Sequence, residues 1–296
     1  MFSKSSLLAS IQDGLAEATG EAVELEWLRN LPGGDINRAA LIRGGHTKWF
    51  LKFHQQAPEG MFAAEAQALQ EISAQGCIKV PVPAALGSTG ETDWLVLEYL
   101  ELASHGATAL LGEQLAALHA VTAVEFGWSR NNYIGSTPQI NTCCDDWAQF
   151  WRDYRLRPQF ELAGKAGHGG AFLSKGEQLL ECISAILNDH KPAPSLLHGD
   201  LWAGNKAFTS DGQPVIFDPA SYYGDREADI AMTELFGGFG QSFYSAYEAH
   251  HPLPDGYPVR RNLYNLYHML NHLNLFGAGY LSRCIQIIDT LLAEVR

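Results

Sequence analysis

The chain has 296 residues and a mass of 32.5 kDa, enough for one large domain or two modest lobes. Its 46% hydrophobic and 18% charged residues are those of an ordinary globular protein and exclude a disordered, collagenous or coiled-coil chain. A formal charge of −13 argues against non-specific binding to nucleic acid or to an anionic membrane, although it leaves room for one local basic pocket.

Taken in chain order, the first element is a short amphipathic helix, because Leu7, Leu8, Ile11, Leu15 and Ala18 share one face. Asp13 and Glu17 interrupt the apolar stretch, so this is a poor secretion signal. Short β-rich runs follow at 23–28, 36–43, 47–54, 84–87 and 94–100, broken by turn residues at 32–35, 44–45 and Gly90. One helical stretch, about 59–75, lies among them. Helical periods then prevail at about 107–122, 144–163, 172–189, 225–236, 239–249, 258–276 and 279–295, with a compact non-helical block at 196–223. The pattern is α+β in two lobes: a small strand-rich lobe at 1–100 and a larger helical lobe at 101–296. A cleft between lobes is a usual place for a ligand. No apolar run approaches the roughly 18 residues of a membrane span. The five cysteines, Cys77, Cys143, Cys144, Cys182 and Cys284, form no C-x-x-C and an odd count. A reduced, cytoplasmic protein without a disulfide framework or zinc site is expected.

The chemistry concentrates in Leu196-Leu197-His198-Gly199-Asp200-Leu201-Trp202-Ala203-Gly204-Asn205. Against the protein-kinase catalytic loop, H-R-D-L-x-x-x-N, it matches at His198, Asp200, Leu201 and Asn205, with Gly199 in place of Arg. A second apolar stretch ends in Asp218-Pro219-Ala220, and a turn at Asp211-Gly212 makes the intervening segment a β-hairpin. Such a hairpin would return Asp218 to the neighbourhood of Asn205. Phosphoryl transfer from ATP needs a divalent metal held by hard oxygen ligands, and an Asn carbonyl with an Asp carboxylate supplies them. It also needs a carboxylate to orient the attacking hydroxyl and take its proton, which Asp200 is placed to do.

The strand-rich lobe is expected to hold the nucleotide. Lys52 sits mid-strand between aromatic residues, where a lysine needs an anionic partner. Glu65, on the apolar stripe of Met61, Phe62, Leu69 and Ile72, can be that partner. Lys48, on the same strand face, is the alternative. The turn holding Gly33 and Gly34 lets backbone N–H groups approach phosphates. Glu98, Tyr99 and Leu100, where the last strand meets the lobe boundary, are positioned to read adenine through the backbone. Neither a P-loop motif nor a G-x-S-x-G elbow occurs.

With these residues in view, the sequence resembles the fructosamine kinase (ketosamine-3-kinase) family along nearly its whole length. The likeness is densest in HGDLWAGN at 198–205, FDPASYYGDREADIAMTELFGGF at 217–239 and LYHMLNHLNLFGAGY at 266–280. NNYIG at 131–135 and DDWAQFWRDYRLRPQ at 145–159 extend it. The resemblance implies a protein-kinase-like fold and ATP- and Mg²⁺-dependent phosphorylation of the O3 hydroxyl of a ketosamine, free or protein-linked. Loss of the 3-phosphate then frees the amine. It implies Asp200 as proton acceptor, Asn205 and Asp218 as metal ligands, Trp202 against the sugar, and His198 and Asp229 as supports of the catalytic loop. Some relatives carry Cys in the first glycine turn, where Asp35 stands here, so a redox switch between subunits is not expected. The rival readings are a kinase for another small alcohol, such as an aminoglycoside or a choline-like amine, and a catalytically inactive nucleotide-binding regulator.

Other conspicuous residues have plainer roles. His268 and His272 are spaced as in zinc sites but lack the H-E-x-x-H glutamate, and they read as a structural pair. Asp145-Asp146 reads as a helix cap, and Cys143-Cys144 as a reduced pair.

Overall fold

The computed structural model describes residues 3–32, 36–187 and 190–295. Two compact units form, one from residues 1–107 and 207–218 and the other from 108–206 and 219–296. The division expected at residue 100 follows sequence order alone, whereas by contact the later hairpin groups with the N-terminal unit.

In the first unit, helix α1 (Lys4–Thr19) precedes strands β1 (Leu25–Leu31), β2 (Arg38–Gly44) and β3 (Thr47–Gln55). Helix α2 (Met61–Gln75) and strands β4 (Pro83–Thr89) and β5 (Thr92–Glu98) follow. The strands pair antiparallel in the order β1-β2-β3-β5-β4. Alternation along β3 gives the sheet two unlike faces. Leu51 and Phe53 pack with Trp94 and Val96 against Leu7, Ile11 and Leu15 of α1. Burying each such side chain contributes about 1.5–3 kcal/mol, which offsets the marginal stability of an isolated helix of this length. Lys52 lies between Leu51 and Phe53 and so points to the opposite face, paired across the ladder with Ala39 and Leu95. The hairpin of Lys206–Thr209 and Pro214–Ile216 adds to strand Leu102–Ala103. The Ile216 N–H donates to the Lys79 carbonyl at 3.0 Å, which fixes the end of the hairpin just before Asp218.

The second unit is mainly helical, with Thr108–His119, Ala171–Ile186, Glu227–Leu235, Gln241–His250, Tyr257–Phe276 and Leu281–Ala293 as its regular helices. Helix Tyr257–Phe276, the longest, buries Leu263, Tyr264, Leu266, Tyr267, Leu270 and Leu273 among others. Short strand pairs join Asn132–Ile134 to Thr137–Gln139 and Ser195–Leu196 to Tyr223–Gly224.

The helix expected at 144–163 is not uniform. A single α-helical turn, Trp147–Phe150, widens into a π-helical stretch, Trp151–Leu156, before α-helix resumes at Arg157–Lys165. Pro158, in the first turn of the resumed α-helix, has no N–H to offer the Tyr154 carbonyl. The Arg155 guanidinium donates to that carbonyl instead, at 3.0 Å. Asp146 caps the first turn by accepting the Gln149 N–H at 2.7 Å.

Candidate active site

In the strand-rich unit the candidate site centres on Lys52. Its Nζ donates to Glu65 Oε1 and to Asp218 Oδ1, each at 2.5 Å. Only 7% of the Lys52 side chain and 11% of Glu65 are exposed. Burial pulls the Lys52 ammonium toward its neutral form, but the charges of Asp218 and Glu65 outweigh it and hold its pKa above the ordinary lysine value. Burial also raises the Glu65 carboxyl, against the opposing pull of Lys52. A surface pair would contribute little. Here an unpaired buried charge would be costly, so Lys52 and Glu65 depend on one another, while Asp218, 46% exposed, keeps contact with solvent. Lys48 lies at the surface instead, 4.0 Å from Glu101 and over the ring of Tyr99.

Asp218 is one of two described non-glycine residues with positive φ, at 59°. A left-handed residue costs about 1–3 kcal/mol and persists only where its surroundings hold it. It precedes Pro219, which restricts its backbone further. Of the residues expected to read adenine, Glu98 ends β5 and gives its backbone N–H to the Val82 carbonyl at 2.8 Å. Tyr99 and Leu100 follow the strand and are half-buried. Gly33 and Gly34 lie outside the described residues.

In the helical unit the loop 198–205 is fixed by its backbone. Asp229 accepts the N–H groups of His198 at 2.7 Å and Gly199 at 2.8 Å. Burial would raise the Asp229 carboxyl, yet His119, His198 and the Gly199 N–H hold it below the ordinary carboxylate range. Gly199 has a φ of 83°, and a Cβ there would lie 2.1 Å from the Ala220 carbonyl oxygen. An arginine, as in the protein-kinase motif, does not fit this backbone. The Asp200 N–H donates to His198 Nδ1 at 3.2 Å. Asn205 Nδ2 donates to the Asp200 carbonyl at 2.8 Å and to Asp200 Oδ2 at 3.2 Å. Trp202, 39% exposed, meets Phe236 edge-on at 6.2 Å.

Sequence reasoning missed His119, whose only signal is a lone histidine at the end of a helix. Its Nε2 reaches Asp229 Oδ2 at 3.2 Å, and its Nδ1 meets the Tyr247 hydroxyl at 2.7 Å. Asp229 therefore receives three donors, and its two oxygens carry the loop.

Each unit offers an oxygen donor of the kind a hard divalent cation takes. Asn205 spends its amide N–H groups on Asp200, and its carbonyl oxygen is not used in those bonds. Asp218 gives one oxygen to Lys52 and keeps a second. A different trio, His190, Asp225 and Glu227, is the one described group of three metal-capable side chains. Its donors are already engaged. Arg260 binds both Glu227 oxygens at 2.7 and 2.8 Å, and Asp225 accepts from His190, Tyr264 and the Glu227 N–H.

Comparison with known proteins places these residues in context. The sequence model of the family described as fructosamine kinase matches residues 7–294. A probable ketoamine kinase of Synechocystis sp. is 42% identical over 286 residues, covering 96% of this chain and 96% of that protein. The chloroplastic protein-ribulosamine 3-kinase of Arabidopsis thaliana is 40% identical over 282 residues, covering 94% of this chain and 86% of its own. A crystal structure of a fructosamine-3-kinase candidate from Haemophilus somnus 129PT superposes with a TM-score of 0.88 at 29% identity, covering 95% of this chain and 96% of that one. The β-rich then helical architecture expected from the sequence is thus shared by a solved structure.

Proposed function

The chain belongs to the fructosamine kinase family, and from that premise we propose that it transfers the γ-phosphoryl group of ATP to the O3 hydroxyl of a ketosamine. The observation that carries this reading is the family match over residues 7–294, which takes in every side chain of the candidate site. One relative is named for ribulosamine, so ribulosamines stand beside erythrulosamines and fructosamines as substrates, free or protein-linked. A cytoplasmic setting suits ATP as the donor, and among the described residues no helix is long and apolar enough to cross a membrane.

Each residue has a stated task. Asp200 accepts a hydrogen bond from the O3 hydroxyl, aligns it for attack and takes its proton as the new P–O bond forms. The bond to the bridging oxygen of ADP breaks in the same transfer. Lys52, held by Glu65, binds phosphate oxygens with the donor it does not need for the carboxylates. Asn205 and Asp218 would hold Mg²⁺, which supplies charge neutralisation across the phosphates when bound. Trp202 offers an aromatic face to the sugar. Asp229 and His198 keep the loop in place so that little reorganisation is left for the reaction step. Elimination of the 3-phosphate afterwards releases the amine, so the net outcome is deglycation.

Mass spectrometry tests the proposal directly. Ribulosyl-, erythrulosyl- and fructosyl-lysine, incubated with the protein, ATP and Mg²⁺, are expected to gain a phosphate and then lose the sugar. ADP release with aminoglycosides or choline but with none of these ketosamines would refute the substrate class. Nucleotide binding without ADP release across the whole panel would refute the enzyme.

A further inference from the structure

Three motifs of the family resemblance, at 131–135, 145–159 and 266–280, carry no chemistry in the transfer just described. In the helical unit they meet in one buried hydrogen-bond network. Asn132 Nδ2 donates to the Ser221 carbonyl at 2.8 Å. Gln139 Nε2 donates to the Ala220 carbonyl at 3.0 Å and to Asn132 Oδ1 at 2.8 Å. Asn141 Nδ2 also reaches Asn132 Oδ1, at 2.8 Å, and the Tyr267 hydroxyl donates to Gln139 Oε1 at 2.8 Å. Arg155 closes the network, donating to Asn141 Oδ1 at 2.7 Å and to the Ile140 carbonyl at 2.6 Å. Its guanidinium lies 4.0 Å from the ring centroid of Tyr222 and 4.6 Å from that of Phe150.

Two features separate this network from ordinary core. Asn132, Gln139, Asn141 and Arg155 are all buried, and no described carboxylate forms an ion pair with Arg155. Its charge is met by carbonyl oxygens, by ring faces and by the Tyr222 side chain. Buried polar groups often contribute little net stability compared with an apolar core, and where they are fully hydrogen-bonded they can fix position. The amide orientations are also fixed by their partners. A flip at Asn132 would set its oxygen against the Ser221 carbonyl and its NH₂ against two donors.

What the network positions is the backbone of Ala220 and Ser221. The same segment is held from its other side, where the Ala220 N–H donates to the His198 carbonyl at 2.9 Å. Asp218 precedes it in the chain by one residue, the ring-locked Pro219. The left-handed backbone of Asp218 needs such an anchor.

We propose that Asn132, Gln139, Asn141, Arg155 and Tyr267 act as positioning residues that clamp the Ala220–Ser221 backbone and thereby hold Asp218 in the conformation that binds Mg²⁺. This rests on the reading of Asp218 as a metal ligand. It predicts that loosening the clamp weakens metal-dependent nucleotide binding more than it weakens the fold.

The test is calorimetric titration of ATP at a series of Mg²⁺ concentrations, with thermal unfolding measured in parallel. Gln139→Met, which removes the donor to Ala220 at similar size, is expected to raise the Mg²⁺ midpoint roughly tenfold, the usual effect of losing a support behind a metal ligand. Tyr267→Phe, a milder cut that keeps the ring, is expected to raise it less. Ile288→Val, in the core of helix Leu281–Ala293, is the control: it lowers the unfolding temperature and leaves the midpoint alone. Should Gln139→Met fail to fold, Tyr267→Phe decides. A folded variant of either kind with the wild-type midpoint overturns the clamp. Wild-type ATP binding that ignores Mg²⁺, or that survives Asp218→Ala unchanged, overturns the reading of Asp218 and the clamp with it.

Discussion

Replacing the Asp200 carboxylate by an amide keeps the side chain's size and removes its capacity to accept a proton. Asp200→Asn is therefore expected to lower kcat by about 10²–10⁴-fold, the range for losing a general base. Nucleotide affinity, which the proposal assigns to Lys52, Asn205 and Asp218, should change little. Steady-state turnover together with ATP calorimetry checks both halves, and near-normal turnover would remove Asp200 from its role. The same scale shows why single positions were legible before any coordinates. Lys52 between aromatic residues on a central strand demanded an anion, and Glu65 lies 2.5 Å away. That Asp218 would be the second partner of this lysine could not be read, because the hydrogen bond spans 166 positions of sequence.

Elements act through how closely they approach. Helices Thr108–His119 and Gln241–His250 pack at Gly112, where an added Cβ would lie 2.3 Å from the Phe243 carbonyl oxygen and 3.0 Å from the Tyr247 nitrogen. Both neighbours are backbone and cannot swing aside. Gly112→Ala should accordingly cost about 1–3 kcal/mol through overpacking. This exceeds the gain of up to about 1 kcal/mol in helix propensity. A lower unfolding temperature is the expected outcome, and an unchanged or higher one would show that the helices can part freely. Since His119 ends the first helix and Tyr247 lies in the second, kcat should fall as well, through the contacts of His119 with Asp229 and Tyr247. Helical periodicity located both helices, but nothing in it announced a backbone-to-backbone contact at a glycine. The π-helical stretch Trp151–Leu156 was equally hidden. Pro158 was visible, but not that the Arg155 guanidinium would take up the Tyr154 carbonyl that it leaves free.

For the molecule as a whole, pH is the simplest lever. Burial pulls the His268 imidazole down to about 3, with the positive potentials of His272 and Arg155 adding to it and Asp229 opposing. The unfolded chain takes up this proton below the ordinary value of 6.5, whereas the native protein refuses it until about 3. Between those limits the unfolded state binds more protons, so stability falls as pH falls, by up to about 1.4 kcal/mol per pH unit from this group. His268→Gln should flatten that part of the profile. Chemical denaturation of both proteins from pH 7 to pH 4 measures it, and parallel profiles would rule His268 out as the acid-sensitive group.

Local pattern, by itself, determined the α+β class, a strand-rich part followed by a helical one, and singled out the loop 198–205, but not the short strands Leu102–Ala103, Asn132–Ile134 and Thr137–Gln139. Class and loop follow from periodicity, turn chemistry and residue type, which act over a few positions. The boundaries were less well determined, and β5 ends at Glu98 rather than at residue 100, because strand ends are set by pairing partners. Only the tertiary structure decided that residues 207–218 join the N-terminal unit. It alone brought Asn132, Gln139, Asn141, Arg155 and Tyr267 into one network, and set His119 behind Asp229. Buried hydrogen bonds and close backbone approaches depend on distances between residues far apart in the chain, and a single sequence carries no record of those distances.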